Sequence, residues 1–291
     1  MTTDHAPAGS AVTDLPQGRL AYRAAGPTSS SRPAVVFVHG ILVDARLWEP
    51  VAERLAAEGV RSYAPTLPLG AHQWPMNDDA DLSPGGVAQL VRDFMAALGL
   101  TDVTLVGNDT GGAICQVMLG GDTSRIRAAV LTNGDAFGAF PPRDLAPLFA
   151  ALRHPRLVAG LAVALRSATV RRGPLAYGPL SSHPLDPDLT RSWMQPLTRP
   201  AIRRDLAKFA AGVNPGVLLD AASRFSQFTG PVRVLWGEND RFFGAELGQQ
   251  LSAAFPQASL TTVPGGRTFL PIDHPADVVR EIVAAGQDTG R

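Results

Sequence analysis

Apolar positions along this chain follow two alternating spacings. Ala34–Val38 is an unbroken β-branched and aromatic run, the mark of a strand buried on both faces. Gly18–Ala25, Val60–Ala64, Val103–Val106 and Ile126–Thr132 read as further strands. Between them the spacing turns helical. Trp48–Glu58 and Gly111–Leu119 have it, and Gly86–Leu98 places Val87, Leu90, Val91, Phe94 and Leu98 on one face. Strands alternating with helices over short connections predict a mostly parallel sheet covered by helices on both faces.

The rhythm breaks after about Ala136. As far as Phe225 the segments are helical and divided by prolines: Leu145–Leu152, Leu157–Ala168, Asp186–Met194 and Ala201–Phe209. Strands resume at Val232–Trp236 and Ser259–Val263, before a closing helix at Ala276–Ala285. A helical block between two strands of one sheet predicts an inserted cap. The expected organisation is a flexible N-terminal tail over residues 1–17, a core over 18–136 and 227–285, a cap over 137–226 and a C-terminal tail over 286–291.

Composition narrows the chemistry. A chain of 291 residues with 45% hydrophobic and 18% charged positions folds around a sizeable core instead of staying disordered. Its net charge of zero exerts no global pull on nucleic acid or anionic membrane, so a small-molecule substrate is the expected partner, with neither of those. The single cysteine, Cys115, excludes an intrachain disulfide and fits a reducing cytoplasm. No basic segment followed by an apolar run opens the chain, and no apolar stretch is long enough to span a membrane. No His/Cys/Asp cluster has metal-ligand spacing, and no phosphate-loop or dinucleotide glycine pattern is present, so no metal or cofactor is expected.

The chemistry concentrates at Val103-Thr104-Leu105-Val106-Gly107-Asn108-Asp109-Thr110-Gly111-Gly112-Ala113, which reads as strand, sharp turn and helix. Glycines stand two positions before and two after Asp109. A nucleophile elbow needs this, because its strained turn brings strand and helix backbones too close for side chains. A plain glycine-rich turn with an N-capping aspartate is the alternative. Two further motifs favour the elbow: His39-Gly40-Ile41-Leu42 directly after a buried strand, and Val234-Leu235-Trp236-Gly237-Glu238-Asn239-Asp240, a strand ending at glycine with an acid three residues on.

On these motifs the chain resembles the α/β-hydrolase superfamily over nearly its whole length. It is most similar to the aspartate-nucleophile branch, which holds haloalkane dehalogenases, fluoroacetate dehalogenases and epoxide hydrolases. The resemblance implies an α/β-hydrolase fold, Asp109 as the attacking carboxylate, Asp240 as the acid, and backbone N–H groups of Ile41 and Thr110 as the oxyanion hole. His39, Leu42, Asp135, Tyr177 and Trp193 are the expected pocket residues, and Asp135 is also a second candidate for the acid.

The chain departs from that branch at the base. Aligning Val263-Pro264-Gly265-Gly266-Arg267-Thr268-Phe269 places Thr268 where the family carries histidine. A carboxylate nucleophile attacks unaided, but water must then cleave the ester it forms, and threonine cannot deprotonate water near neutral pH. His72 and His274 are substitute candidates, while His154 and His183 read as surface residues. Substrate markers differ too. Thr110 stands where dehalogenases place tryptophan or arginine, Ile41 where they place a halide-binding asparagine, and Tyr177 is the cap's one tyrosine where epoxide hydrolases use two.

Three functions compete on this reading: hydrolysis of a small ester, epoxide or haloalkane through Asp109; a lyase, isomerase or cyclisation reaction using Asp109 as acid or base; and non-catalytic ligand reception.

Overall fold

The computed structural model describes residues 9–174 and 176–287. Its strands are β1 (Ala11–Leu15), β2 (Gly18–Ala25), β3 (Val35–Val38), β4 (Ser62–Pro65), β5 (Val103–Gly107), β6 (Ile126–Thr132), β7 (Val232–Gly237) and β8 (Ala258–Val263). They form one sheet in the order β1-β2-β4-β3-β5-β6-β7-β8. The β1–β2 and β2–β4 pairs are antiparallel, and every pair from β4 to β8 is parallel. This is the α/β-hydrolase fold.

The helices are α1 (Glu49–Ala57), α2 (Pro84–Ala97), α3 (Thr110–Leu119), α4 (Ala146–Leu152), α5 (Pro155–Ala164), α6 (Ala168–Arg171), α7 (Pro187–Met194), α8 (Pro200–Gly212), α9 (Pro215–Ala222), α10 (Ala245–Ala253), α11 (Leu270–Asp273) and α12 (Pro275–Gln287). Strand residues divide between the two faces by the period of two that a pleat imposes. In β3, Val36 and Val38 join the core beneath α2 and α3, whereas Val35 and Phe37 join the core beneath α1 and α12. With both faces covered, every residue of β3 and β5 is buried. That burial is why β3 reads as an unbroken apolar run.

Two expectations are corrected. The N-terminal tail of residues 1–17 contains β1, which pairs with β2 from Ala11↔Tyr22 to Leu15↔Gly18. Leu15 is its one buried residue, so backbone hydrogen bonds and not an apolar pattern hold this edge, and periodicity is blind to it. The C-terminal tail from 286 begins inside α12, which continues to Gln287. Residues 1–8 and 288–291 of those tails lie outside the described residues.

Between β6 and β7 the chain runs through α4–α9. Two features of this insertion matter for the site. Residues of α4 and α5 face the C-terminal ends of the strands across a cavity. By contrast α9 packs back on α3, with Ala221 backbone pressed against Gly120. Helices α9 and α10 had no legible periodicity, since each buries little on its inner face: Leu218 and Ala221 in one, Gly248 and Leu251 in the other.

Candidate active site

Asp109 sits between β5 and α3 with φ 56° and ψ −134°, a conformation L-residues rarely adopt. Close packing enforces it. A Cβ on Gly107 would lie 2.8 Å from Gly111 O, and one on Gly111 would lie 2.1 Å from Val38 O. On the other flanks, a Cβ on Gly40 would meet the Asp109 carboxylate at 2.1 Å, and one on Gly134 would meet Asp109 O at 2.4 Å. Three strand ends therefore converge on the aspartate and fix its direction.

The carboxyl faces a cavity of about 80 Å³. By the ~10–15 Å³ each water-sized group needs on this measure, that is space for a small molecule. Ile41, Leu42, Asp109, Thr110, Asp135 and Tyr177 line it beside Leu145, Leu148, Phe149, Leu161, Leu165, Ala176, Leu180 and Phe242. The insertion supplies most of the apolar wall, which explains the ionisation of the floor. Burial pushes the Asp109 carboxyl up from 3.8 to about 7; the Thr110 N–H opposes this and the charge of Asp240 adds to it. Asp135 is held well above the usual carboxylate range, first by burial and then by the charge of Asp109. Thr110 Oγ1 donates to Asp135 Oδ2 at 3.1 Å, while Asp135 Oδ1 is buried without a protein partner.

Thr268 and Asp240 stand behind the pocket, not in its lining. Thr268 Oγ1 donates to Asp240 Oδ2 at 2.8 Å, and the N–H groups of Phe242 and Phe243 donate to Oδ1 at 2.8 and 3.1 Å. Burial still holds Asp240 above its ordinary value. The Thr268 side chain thus meets Asp240 with a hydroxyl. Thr268→Val deletes that donor, and we expect a stability loss of about 1–3 kcal/mol at pH 7 in urea titration, with Thr268→Ser close to wild type. An unchanged midpoint in the valine variant would mean the hydroxyl contributes nothing.

Other expected pocket residues are committed elsewhere. His39 Nε2 accepts from Leu67 N at 2.8 Å, so its Nδ1–H donates to Gly40 O at 2.8 Å. Burial pushes this ring down to about 4, and it braces the loop as a neutral structural residue instead of binding substrate. Trp193 Nε1 donates to Asp44 Oδ1 at 3.0 Å and is fully buried outside the cavity, so it too is corrected. Tyr177 lines the cavity, but its hydroxyl donates to Leu42 O at 2.5 Å and fastens the insertion to that loop. Leu42 lines the cavity with φ 60°.

Among the described residues no imidazole lines the cavity. His72 pairs with Asp205 at 3.1 Å between the 66–83 loop and α8, while His183 and His274 lie near Asp273 and Asp277. No group of three or more His, Cys, Asp or Glu among the described residues is arranged to hold a metal, and no helix there is long and apolar enough to cross a membrane.

Two positioning residues escaped the sequence reading. Asn108 Nδ2 donates to Thr132 Oγ1, Asn133 O and Thr268 O at 2.8, 3.2 and 2.6 Å, joining the elbow to β6 and to the Thr268 loop. Asn133 grips Gly237 through both amide atoms, N–H to Oδ1 at 2.6 Å and Nδ2 to C=O at 3.1 Å, tying β6 to the loop of Asp240. The one available signal was a polar residue at the end of each apolar strand.

Comparison with known proteins agrees with this fold. Residues 35–281 match the model of the Alpha/beta hydrolase family. The 2-hydroxy-6-oxononadienedioate/2-hydroxy-6-oxononatrienedioate hydrolase 1 of Dechloromonas aromatica is 26% identical over 234 residues, covering 78% of this chain and 77% of that protein. Among solved structures, an alpha/beta hydrolase fold protein from Burkholderia ambifaria superposes with a TM-score of 0.77 at 23% identity, covering 96% of this chain and 99% of that one. Haloalkane dehalogenase DbeA from Bradyrhizobium elkani gives 0.76 at 17% identity over 95% and 98%.

Proposed function

Because the chain belongs to the alpha/beta hydrolase family, we propose that it acts on a small neutral organic molecule, with the Asp109 carboxylate removing a proton in a lyase, isomerase or cyclisation reaction. The observation that carries this reading is the pocket floor: a buried carboxyl on the elbow, and no imidazole in the lining to hydrolyse an ester formed on it. A general base is most effective when its pKa lies near the working pH, and Asp109 at about 7 meets that condition. The N–H group of Ile41 is the donor we assign to the oxygen that gains negative charge, while the Thr110 N–H is held by the Asp109 carboxyl. Thr268 and Asp240 keep the floor in place and add negative charge behind Asp109.

Electrostatics narrows the substrate. The Dechloromonas aromatica relative is named for a dioate, a dianion. Here, among the described residues, the lining contains two acids and neither lysine nor arginine, so a dianion meets repulsion and an apolar wall. A neutral ketone, alcohol or ester suits the cavity better.

The test is hydrogen–deuterium exchange at the α-carbon of a panel of small neutral ketones in deuterated buffer, followed by NMR. Exchange by the wild type, lost in Asp109→Asn, supports the proposal; exchange unchanged in that variant sinks it. The rate should rise with pH through about 7 and level above it, because the ionised carboxylate is the active form. A flat profile between pH 5 and 9 would remove Asp109 from the step.

One observation favours a second reading, covalent hydrolysis: Asp109 keeps the positive-φ elbow that aims a nucleophile. Incubation with epoxides and haloalkanes followed by intact-mass analysis separates the two. An ester at Asp109 that turns over repeatedly would establish hydrolysis and displace the proton-transfer reading.

A further inference from the structure

The cavity holds a second carboxyl whose role the base reading leaves open. Asp135 follows β6 and is 1% exposed. Its Oδ2 accepts from Thr110 Oγ1, and Gln116 Nε2 donates to its backbone carbonyl at 2.7 Å, so backbone and side chain are both held. Oδ1 alone has no protein partner, although Asp135 lines the same cavity as Asp109. Buried polar atoms are nearly always hydrogen-bonded, and an exception at a cavity wall points to a ligand. No cation offsets a charge at this position: among the groups that shift its ionisation the nearby charge is the like charge of Asp109. With Oδ2 engaged by Thr110 Oγ1, Oδ1 is the oxygen left without a partner to hold a proton.

We propose that Asp135 is the general acid of this site, giving its Oδ1 proton to the departing oxygen of a neutral β-hydroxy ketone while Asp109 removes the α-proton. This rests on the base reading of Asp109 and extends it to a substrate class and a reaction, β-elimination of water and its reverse, addition. The Asp109 carboxylate takes the α-proton. The freed C–H electron pair becomes the C=C bond, and the Cβ–O bond breaks with its pair on oxygen. That oxygen takes the Asp135 proton and leaves as water. Asp109 now holds a proton and Asp135 has lost one, and the released water returns it from the first to the second. No oxidant, metal or cofactor enters the balance. Two carboxyls with separated affinities for the proton suit this division of labour, one poised to accept and one to donate.

The probe is 4-hydroxyhexan-2-one, whose dehydration yields an ultraviolet-absorbing enone. In the full-length protein the wild type should produce the enone, and Asp135→Asn, which keeps size and a hydrogen-bond donor but has no proton to give, should lower the rate by about 10²-fold or more. Infrared spectroscopy supplies a readout independent of turnover. At neutral pH a protonated-carboxyl C=O band, absent from Asp135→Asn, should shift when the probe binds. The proposal is overturned if that band is missing or does not move at saturating probe, if the probe does not bind, or if Asp135→Asn retains the wild-type rate. Loss in Asp109→Asn with retention in Asp135→Asn defeats the acid alone. Retention in Asp109→Asn defeats the base reading on which it stands.

Discussion

We expect Asp109→Asn to lower turnover sharply and at the same time to make the protein more stable above neutral pH. The two effects share one cause, the burial of a carboxylate against an apolar wall. As the base, the ionised group is required, and losing general-base help costs roughly 10²–10⁴ in rate. As a folded-state charge it is a burden. Its pKa is raised from 3.8 to about 7, so between those values the native state binds a proton that the unfolded state has released. Stability due to this group is therefore lost as pH rises from about 4 to about 7, and the full penalty applies above. The displacement corresponds to on the order of 4 kcal/mol. Asparagine carries no such charge. Urea titrations should show the variant more stable than wild type by a few kcal/mol at pH 8.5, with the difference gone at pH 4. Equal stability at pH 8.5 would mean that the carboxylate is not buried in an apolar site, which would also undermine its tuning as a base.

Gly111→Ala should prevent folding, or destabilise by more than about 4 kcal/mol, at the extreme of single substitutions. Its Cβ would stand 2.1 Å from Val38 O, 2.6 Å from Val38 C and 2.8 Å from His39 C. All three are backbone atoms of β3 and the loop that follows it, so no side chain can rotate away. Relief requires α3 and β3 to separate at the point where the elbow and the Ile41 loop meet. Gly138→Ala is the control, because its Cβ meets nothing within 4 Å and should change stability by no more than about 0.5 kcal/mol. A folded Gly111→Ala protein with a wild-type urea midpoint would contradict the close approach on which the elbow depends.

The stability test and the inference about Asp135 probe the same environment from opposite sides. The apolar residues that make the Asp109 charge costly also raise the affinity of Asp135 for a proton, since burial is the leading cause of both shifts. Those residues come from α4, α5 and the segments after them, so the insertion sets the ionisation of a floor built by β5 and β6.

How much of this was legible in the chain follows from where each signal is written. Strands buried on two faces carry mostly apolar side chains, and β3, β5, β6 and β7 could be placed within a residue or two. The elbow was legible because steric closeness demands glycine at fixed spacings around one residue. Thr268 was legible as the departure from the family's base, and the structure puts its hydroxyl on Asp240. By contrast β1 is held by backbone hydrogen bonds, which all residue types make alike, and α10 buries too few side chains to show a period.

Side-chain partnerships over long separations were not legible at all. His39 and Trp193 carry ring nitrogens suited to a pocket, and only folding shows those nitrogens spent on Leu67, Gly40 and Asp44. Asp135 is one acid among many in the sequence, and only the fold makes its two oxygens unequal, one held by Thr110 and one without a partner. By itself the sequence determined the α/β-hydrolase architecture and the glycine-flanked turn that carries Asp109, since periodicity and close packing act locally and leave their mark on residue type. Tertiary structure alone decided which groups meet in the cavity and how burial raises the affinity of its carboxyls for protons, because burial and charge act through space between residues that the chain keeps far apart.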